Sequence, residues 1–533
     1  MKNGIKNTNY PISGTPETTI EAQRLYGLFN EFYAAYSGER ARLYKCDSIY
    51  RGDHWYDVPV GDKNEPRPVT PVIQSTIENI RADLNDYLPE AVVTADSRGY
   101  ERLADDMTHI VRENHLLCGY DEEFSLITHD LLVGGWAVQE VGFDSSALNG
   151  IGAAFVRRVD IRTVMFDPLT DDMQQGRAVF KFTRRTRDWF REHYPDKADD
   201  LNDETVTIDN ETDGLLTPRY DDSIVLIECW LRSYDSKSDS YRVDRVLLAG
   251  GLILEDTRDV EDGCYSHGKY PFVITTLFPR SGSCLGYGFV DMFETAQRYS
   301  DKLDQIVMKN ALLASHNKLL VTGASGFEPD DLRDWSKEVH KGDNLNGVTW
   351  FSTAPLPAYL ISYIADMRTT IKEESGSNEW SRGMTNYGVV SGTAISALQE
   401  KSSKRARMAA KSLHSAFRQA VELELELERE FSLGLRCVRL GALKGTDAED
   451  SSETEARRVM DMERMPFSLQ VTVKVQKNGG FSALSNNDTV FRLVETGMIT
   501  PEVGLELLMF DGKEQAKSLM QASKADGAMP QEG

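Results

Sequence analysis

The sequence lacks the signatures of several common functional classes. Its 533 residues contain no run of about 18 apolar residues, so no transmembrane helix is predicted. The six cysteines include no CxxC pair, which gives no basis for a zinc site or a redox pair, and reduced thiols are expected. No GxxxxGK(S/T) motif occurs, so the phosphate-binding loop of P-loop nucleotide hydrolases is missing.

Positive charge is also scarce. The chain has 60 Lys and Arg residues against 84 Asp and Glu, and its formal net charge is −24. Tight nucleic-acid binding normally depends on Lys and Arg facing phosphates, so it is not expected here. An acidic wall would instead repel DNA and let it slide, which is compatible with a conduit. The N-terminal residues lack the apolar core of a signal peptide, which predicts residence in the cytoplasm.

The composition that remains is that of a globular protein. With 40% hydrophobic and 27% charged residues, the chain can form three or four domain-sized units. Helical patterns occupy residues 17–52, 67–88, 100–117 and 121–132. Alternating patterns predict strands at residues 91–94, 137–143, 153–159, 178–182, 223–231, 241–249, 270–277 and 467–476. The strands between residues 137 and 249 predict a β-rich subdomain.

The stretch from residue 288 to residue 431 has the most regular order. In residues 288–315 a stripe recurs at alternating steps of four and three, which predicts one long helix: Met292, Ala296, Tyr299, Leu303, Ile306, Asn310 and Leu313. Two apolar runs around a short helix then predict a compact βαβ unit. A second stripe predicts a returning helix over residues 358–374: Leu360, Ile364, Met367 and Ile371.

Two further segments complete this stretch. Residues 376–392 carry four glycines and no helical periodicity, which predicts an exposed, mobile loop. Residues 393–431 contain neither Gly nor Pro, which predicts a very long helix. The strict alternation of Glu and Leu from Glu422 to Glu428 also fits a strand, so an end of the helix near Val421 stays open.

This order of helix, insert, returning helix, Gly-rich loop and long helix resembles the core of tailed-bacteriophage portal proteins. Shorter segments add to the resemblance: Tyr50-Arg51-Gly52-Asp53-His54-Trp55, the Asp167-Pro168 turn after a strand, Gly286-Tyr287-Gly288, and the run from Gly497 to Leu508. The resemblance covers most of the chain and implies a non-enzymatic protein that assembles as a ring.

The resemblance implies a portal-type α+β fold with wing, helical stem, small α/β clip and helical crown. The implied divisions are a wing (1–287), stem helix 1 (288–315), a clip (316–357), stem helix 2 (358–375), a tunnel loop (376–392), a long wing helix (393–431), a C-terminal strand with crown helices (432–521) and a disordered tail (522–533).

The resemblance also implies partners and sites. It implies a homododecamer at one capsid vertex, assembled in the host cytoplasm, whose channel passes double-stranded DNA. Terminase, the head-tail adaptor, the major capsid protein and scaffolding protein are the implied partners, and the packaging ATPase would be a separate chain. Candidate residues are Arg382, Asn386 and Tyr387 of the tunnel loop facing DNA, and Trp335, Lys337 and Lys341 on the clip, where a core position for Trp335 stays open. Lys401 and Lys404 would contact DNA phosphates or, as an equal alternative, form intersubunit salt bridges on a solvated helix.

Two alternative interpretations compete with this one. Gly282-Ser283-Cys284-Leu285-Gly286 matches the elbow that presents a nucleophile between a strand and a helix, so a hydrolase centred on Cys284 is the second hypothesis. An acidic capsid or adhesion protein without a channel is the third. Asp167, Asp171 and Asp172 would offer a cation oxygen ligands, but they lack the spacing of a calcium loop. We therefore predict no metal site, no cofactor and no catalytic residues.

Overall fold

The structure is a computed structural model of the chain. It describes residues 16–59, 65–85, 88–95, 100–202, 208, 223–235, 239–258, 264–265, 267–315, 318–328, 330, 332, 339, 341–351, 356–375, 404–431, 435–439, 457–461, 469–475, 490–498 and 504.

Helices and strands both contribute substantially to the described residues, which confirms the α+β prediction. Among the described residues, the α-helices of seven or more residues include α1 (Pro16–Ala35), α2 (Ser37–Tyr50), α3 (Val72–Asn85), α4 (Glu101–Cys118), α5 (Tyr120–Gly134), α6 (Arg187–His193), α7 (Phe289–Ser315), α8 (Tyr359–Ser375) and α9 (Lys404–Phe431). The strands are β1 (Pro89–Ala95), β2 (Trp136–Asp144), β3 (Ala153–Val159), β4 (Val164–Phe166), β5 (Ala178–Thr186), β6 (Ser223–Asp235), β7 (Ser240–Ala249), β8 (Leu252–Asp256), β9 (Phe272–Thr276), β10 (Phe278–Pro279), β11 (Gly286–Tyr287), β12 (Lys318–Val321), β13 (Val348–Phe351), β14 (Leu435–Arg439), β15 (Arg457–Asp461) and β16 (Leu469–Val475).

The chain divides into two compact units. The first unit comprises Met1–Tyr44, Asn79–Gly288 and Glu379–Gly533, and the second comprises Lys45–Glu78 and Phe289–Asn378. The first unit holds a five-stranded sheet of order β4-β5-β6-β7-β8 and a three-stranded sheet of order β3-β2-β9. β1 pairs with β16 although nearly 380 residues separate them, and every strand pair in the described residues is antiparallel.

The core of the first unit forms where α1 meets the five-stranded sheet. Phe29 lies edge-on to Phe180 and Phe182, with ring centroids 5.6 and 5.9 Å apart, and Phe32 lies 5.1 Å from Phe180. These edge-to-face pairs add to the burial of large apolar surfaces. The predicted helix over residues 17–52 forms as α1 and α2, which meet at Tyr36. Its hydroxyl accepts a hydrogen bond from the buried Phe166 N–H at 3.1 Å.

The long helix α9 packs on the three-stranded sheet and continues to Phe431. The alternative in which the helix stops near Val421 and a strand follows is therefore wrong. Helical spacing brings Glu424 and Glu428 onto one face, and both carboxylates are buried. Asn114 of α4 donates to both, at 2.9 and 2.7 Å, so the alternating Glu residues include two core positions.

Side chains also satisfy the outer edge of β3. The N–H of Ala154 donates to Glu428 at 2.8 Å, that of Val156 donates to the Cys118 thiol, and that of Arg158 donates to Glu123 at 2.6 Å. Three helices thus supply acceptors for alternate N–H groups along this edge. Because an unpaired strand edge can pair with other chains, these contacts protect the edge of β3. Burial raises the pKa of the Cys118 thiol.

The insert after α7 differs from its prediction. β12 and β13 pair antiparallel, with Lys318 opposite Phe351 and Val321 opposite Val348. A βαβ unit has parallel strands, so the predicted βαβ topology is wrong. An antiparallel pair needs no right-handed crossover between its strands, and two apolar runs flanking a helix cannot reveal strand direction.

Candidate functional site

The predicted stripe of α7 faces solvent in the single chain. Met292, Tyr299, Ile306 and Leu313 are 50%, 57%, 48% and 44% exposed. They are spaced by seven residues, and Ala296, Leu303 and Asn310, all partly buried, lie between them. This is the pattern of a coiled-coil seam, in which large side chains insert into the surface of a neighbouring helix. The second unit thus presents a helix whose most apolar side is uncovered.

Beyond its first turn, where Phe289 and Val290 are buried, α7 buries a polar side instead. Gln297, Ser300 and Asp301 are almost completely buried, and Asp304 lies on the same side. At 100° per residue, these positions fall opposite the exposed stripe. Buried polar groups require hydrogen-bond partners, and each of these side chains has them. The usual arrangement of an amphipathic helix is therefore inverted.

An extended segment, residues 65–71, supplies most of those partners by running antiparallel to α7. Glu65 pairs with Lys309, the Pro66 carbonyl accepts from Gln305 at 2.9 Å, and Thr70 lies at the level of Asp301. We call this segment the strap. It leads directly into α3, so it connects the start of α3 to the middle of α7.

Gln297 holds the end of the strap through both atoms of its amide. Its Oε1 accepts from the N–H groups of Val72 and Ile73, at 3.2 and 3.3 Å, which lie in the first turn of α3. Its Nε2 donates to the Thr70 carbonyl at 2.6 Å. N–H groups at the start of a helix have no partner within that helix, so Gln297 acts as a cap supplied by α7.

Asp301 connects the strap to a buried histidine. Its Oδ1 accepts from the Thr70 N–H at 3.2 Å, and its Oδ2 lies 2.5 Å from Nδ1 of His54. The other ring nitrogen of His54 lies 3.0 Å from the Ile49 carbonyl oxygen. The Tyr50–Trp55 signature thus forms a turn, as predicted, with Gly52 at a φ of 85° that favours glycine.

The returning helix α8 joins the same network through Arg368. Its guanidinium donates to Asp304, to Thr70 Oγ1 at 3.1 Å and to Ser300 Oγ at 3.3 Å. Ile364 and Ile371, two members of its predicted stripe, are buried. α8 contacts α7 within the unit, so its stripe behaves as an ordinary core face whereas that of α7 does not.

Most of the predicted DNA and partner residues lie outside the described residues: Trp335, Lys337, Arg382, Asn386, Tyr387 and Lys401. The entire tunnel loop and the predicted tail also lie outside them. Lys404 is the first residue of α9, and Lys341 is exposed at the start of the segment that leads to β13. Only these two lysines of the candidate set therefore belong to the part of the chain that the structure describes.

Cys284 does not occupy a nucleophile elbow. β10 and β11 flank its loop and form a small hairpin, with Pro279 opposite Gly286, so no helix follows the cysteine directly. The loop borders a cavity of about 340 Å³ together with Tyr36, Glu39 and Asp167. Burial raises the pKa of the Cys284 thiol to about 11, which keeps it protonated and weakly nucleophilic near neutral pH. The geometry of the second hypothesis is therefore absent.

The Asp167 turn has a structural explanation. Asp167 accepts from the Arg177 guanidinium at 2.7 and 3.0 Å and from two backbone N–H groups, those of Leu169 and Arg177. These donors hold the pKa of the Asp167 carboxyl below its usual value, against the effect of desolvation. Across the described parts of the chain, no group of three or more His, Cys, Asp or Glu residues is arranged to hold a metal ion.

The polar side of α7 was not predicted from the sequence. A usable signal was present, because Gln297, Ser300, Asp301 and Asp304 follow helical spacing opposite the apolar stripe. The strap could not be found in this way, since nothing in its sequence indicates which helix it follows. The partner of Gln297 lies more than 220 residues earlier in the chain.

Comparison with known families identifies the class of this protein. The family model for the Phage P22-like portal protein matches residues 26–474, which is most of the chain. The chain therefore belongs to the Phage P22-like portal protein family, a structural family of the tailed-phage capsid, and the predicted resemblance is confirmed. Comparison with curated proteins found no significant match. None of the described helices is long and apolar enough to cross a membrane.

Proposed function

We propose that this protein forms the closed portal ring at one capsid vertex, through whose channel double-stranded DNA enters during packaging and leaves during ejection. The observation that carries the proposal is the exposed seven-residue repeat of α7, opposite a polar and fully partnered buried side. A helix of this kind is complete only when another copy of the chain covers its stripe.

The size of the stripe makes it a plausible subunit contact. Fully burying one large apolar side chain stabilises by roughly 1.5–3 kcal/mol, and the stripe has four that are about half exposed. Repeating such a contact head to tail around an axis closes a ring when the rotation per subunit is right. A dodecamer is the ring size expected from the portal resemblance.

DNA passage would involve the acidic bulk of the chain and a few basic residues. With a net charge of −24, most of the surface repels phosphates, and retention of DNA inside the channel would be weak. We assign transient contacts to Arg382, Asn386 and Tyr387 of the tunnel loop and to Lys401 and Lys404. Deleting residues 384–389 should leave rings intact but shorten the genome protected inside capsids. Full-length protected genomes at normal yield would contradict this assignment.

We assign the docking of terminase and of the head-tail adaptor to the clip, residues 316–357, with Trp335, Lys337 and Lys341 as contact residues. The wing would contact the major capsid protein and scaffolding protein. Because the chain has no P-loop motif, the packaging ATPase would be a separate terminase chain. Charge reversal at Lys337 and Lys341 should weaken terminase binding while rings persist. Unchanged binding would show that another surface docks the terminase.

The ring itself is tested with a matched pair of variants. Purified protein should give closed rings with a central hole by negative-stain imaging, and its mass should be many times 59.9 kDa. Tyr299→Asp combined with Ile306→Asp should leave only folded single chains, because charges replace apolar groups within the seam. Leu169→Asp, at an exposed loop leucine, serves as the control and should form rings. Single chains from the unaltered protein at every concentration would contradict the proposal.

A further inference from the structure

The strap network contacts α7 on the side opposite its stripe. Thr70 is the centre: its N–H donates to Asp301, its carbonyl accepts from Gln297, and its hydroxyl lies within reach of Asp304 and Arg368. The network thus ties together the strap, α7, α8 and the start of α3, all within one unit. Around Thr70 its side chains are charged or amide groups: Gln297, Asp301, Asp304 and Arg368.

This composition is unusual for the internal contact of a long helix. A single chain would minimise its exposed apolar surface by turning α7 so that Met292, Tyr299, Ile306 and Leu313 face inward. That rotation would move Gln297 and Asp301 to the outside. It would also leave the N–H groups of Thr70, Val72 and Ile73, together with His54, without these partners. Buried polar groups without partners are strongly unfavourable, so the network opposes the rotation.

We propose that Gln297 and Asp301 are positioning residues that fix the rotation of α7 about its axis and so keep the stripe available to a neighbouring copy. The inference rests on the proposed ring, since it names what selects the assembly-competent orientation within the single chain. Gln297 is the more specific of the two, because one amide group accepts hydrogen bonds from the first turn of α3 and donates one to the Thr70 carbonyl of the strap. Its donor and acceptor atoms must both be present.

A purely structural role would predict only lower stability, so the test must report on the orientation of α7. Ile306→Cys places a thiol in the stripe, and its alkylation by iodoacetamide can be followed by peptide mass spectrometry separately from the native cysteines. The measurement is made at dilutions that give single chains, or with Tyr299→Asp present if rings persist. With the network intact, position 306 should be labelled within about threefold of a fully exposed thiol, in line with its half-exposed side chain.

The test variant combines Gln297→Met with Asp301→Leu, which keep the approximate side-chain size but remove the hydrogen bonds. We expect its helical circular dichroism to be retained, labelling at position 306 to fall at least tenfold, and rings to be lost. Restoring Gln297 alone should recover part of both the labelling and the ring yield. If the double variant does not fold, Gln297→Met alone is measured in its place, with a smaller decrease in labelling and in ring yield expected, because Asp301 still holds the Thr70 N–H.

The outcomes separate this inference from the proposed function. Unchanged labelling and normal rings in the network variants, while Tyr299→Asp with Ile306→Asp still abolishes rings, would overturn the positioning role and leave the proposed ring contact standing. If the stripe variant also forms normal rings, the stripe is not the subunit contact, and both proposals fail. Reduced labelling with loss of rings supports both.

Discussion

Two long helices of this protein, α7 with 27 residues and α9 with 28, use the same kinds of side chain in opposite ways. α9 buries its apolar side, including Leu413, Phe417 and Val421, against its own unit. α7 buries Gln297 and Asp301 and leaves its apolar side in solvent. Both carry a clear helical periodicity, so periodicity alone identifies the face and not the partner that covers it.

The difference shows which helix is complete within one chain. The apolar side of α9 is buried as soon as the first unit folds, because the three-stranded sheet and α4 pack against it and Glu428 bonds to the edge of β3. In α7, by contrast, only the polar side is covered within the single chain. Hydrophobic burial stabilises the folded chain in the first case and the association of copies in the second. Substitutions in the two helices should therefore affect different measurements.

The largest effect on the single chain is expected at Phe417, whose ring lies 5.5 Å from both His115 and Tyr120. Phe417→Ala should lower the free energy of unfolding by about 3–5 kcal/mol, because it removes a fully buried ring and leaves a cavity. Tyr299→Ala in α7 should change it by less than about 1 kcal/mol, yet lower ring yield. Urea unfolding of single chains measures both. Equal losses at the two positions would remove the contrast between the helices.

The next effect concerns the buried carboxylate of Glu428. Glu428→Met would leave the buried Ala154 N–H without this acceptor and should cost about 1–3 kcal/mol in unfolding free energy. Glu428→Gln is the matched control, because it retains an acceptor oxygen and should cost clearly less. Hydrogen exchange of the Ala154 amide should accelerate only in the Met variant. The same rate in both would show that the edge contact contributes little.

Features that depend on local sequence were predicted, whereas features that depend on distant contacts were not. Local periodicity predicted α4, α5, α7, α8 and β16 closely, because each has a regular face. The direction of the β12–β13 pair, the pairing of β1 with β16 and the course of the strap depend on contacts distant in sequence, which no local pattern encodes. The buried Glu424 and Glu428 were missed because charged residues are rarely found in a core without specific partners.

The third prediction concerns how a buried carboxylate of the first unit, Glu228, makes the unfolding free energy depend on pH. The expected change is about 1 kcal/mol or less. Lys181 Nζ lies 2.8 Å from Glu140 and 3.1 Å from Glu228, so one cation faces two carboxylates, with Arg245 nearby. Desolvation raises the pKa of Glu228, opposed by Lys181 and reinforced by Glu140. The folded state then holds this proton to higher pH than the unfolded state does.

This difference in proton binding sets the direction in which stability changes with pH. The contribution of Glu228 is fully present below the ordinary glutamate pKa of 4.5 and is lost as pH rises through the raised value. Glu228→Gln should therefore become more stable relative to the unaltered chain as pH increases from about 4 to 7, measured by urea unfolding. The control Lys181→Met should be destabilised at neutral pH, since it leaves two buried carboxylates facing each other. A stability of Glu228→Gln that falls relative to the unaltered chain as pH rises would contradict the raised pKa of Glu228.

The smallest effect is expected at Cys284, whose thiol is partly buried beside the core of the first unit. Cys284→Ala should change the unfolding free energy by less than about 1 kcal/mol, because the half-buried thiol only borders the core, and ring yield should be unchanged. Since its pKa is raised to about 11, alkylation of Cys284 near pH 7.5 should be much slower than that of an ordinary thiol and should accelerate as pH approaches 11. Rapid alkylation at neutral pH, together with an esterase or peptidase activity that Cys284→Ala abolishes, would instead revive the hydrolase hypothesis.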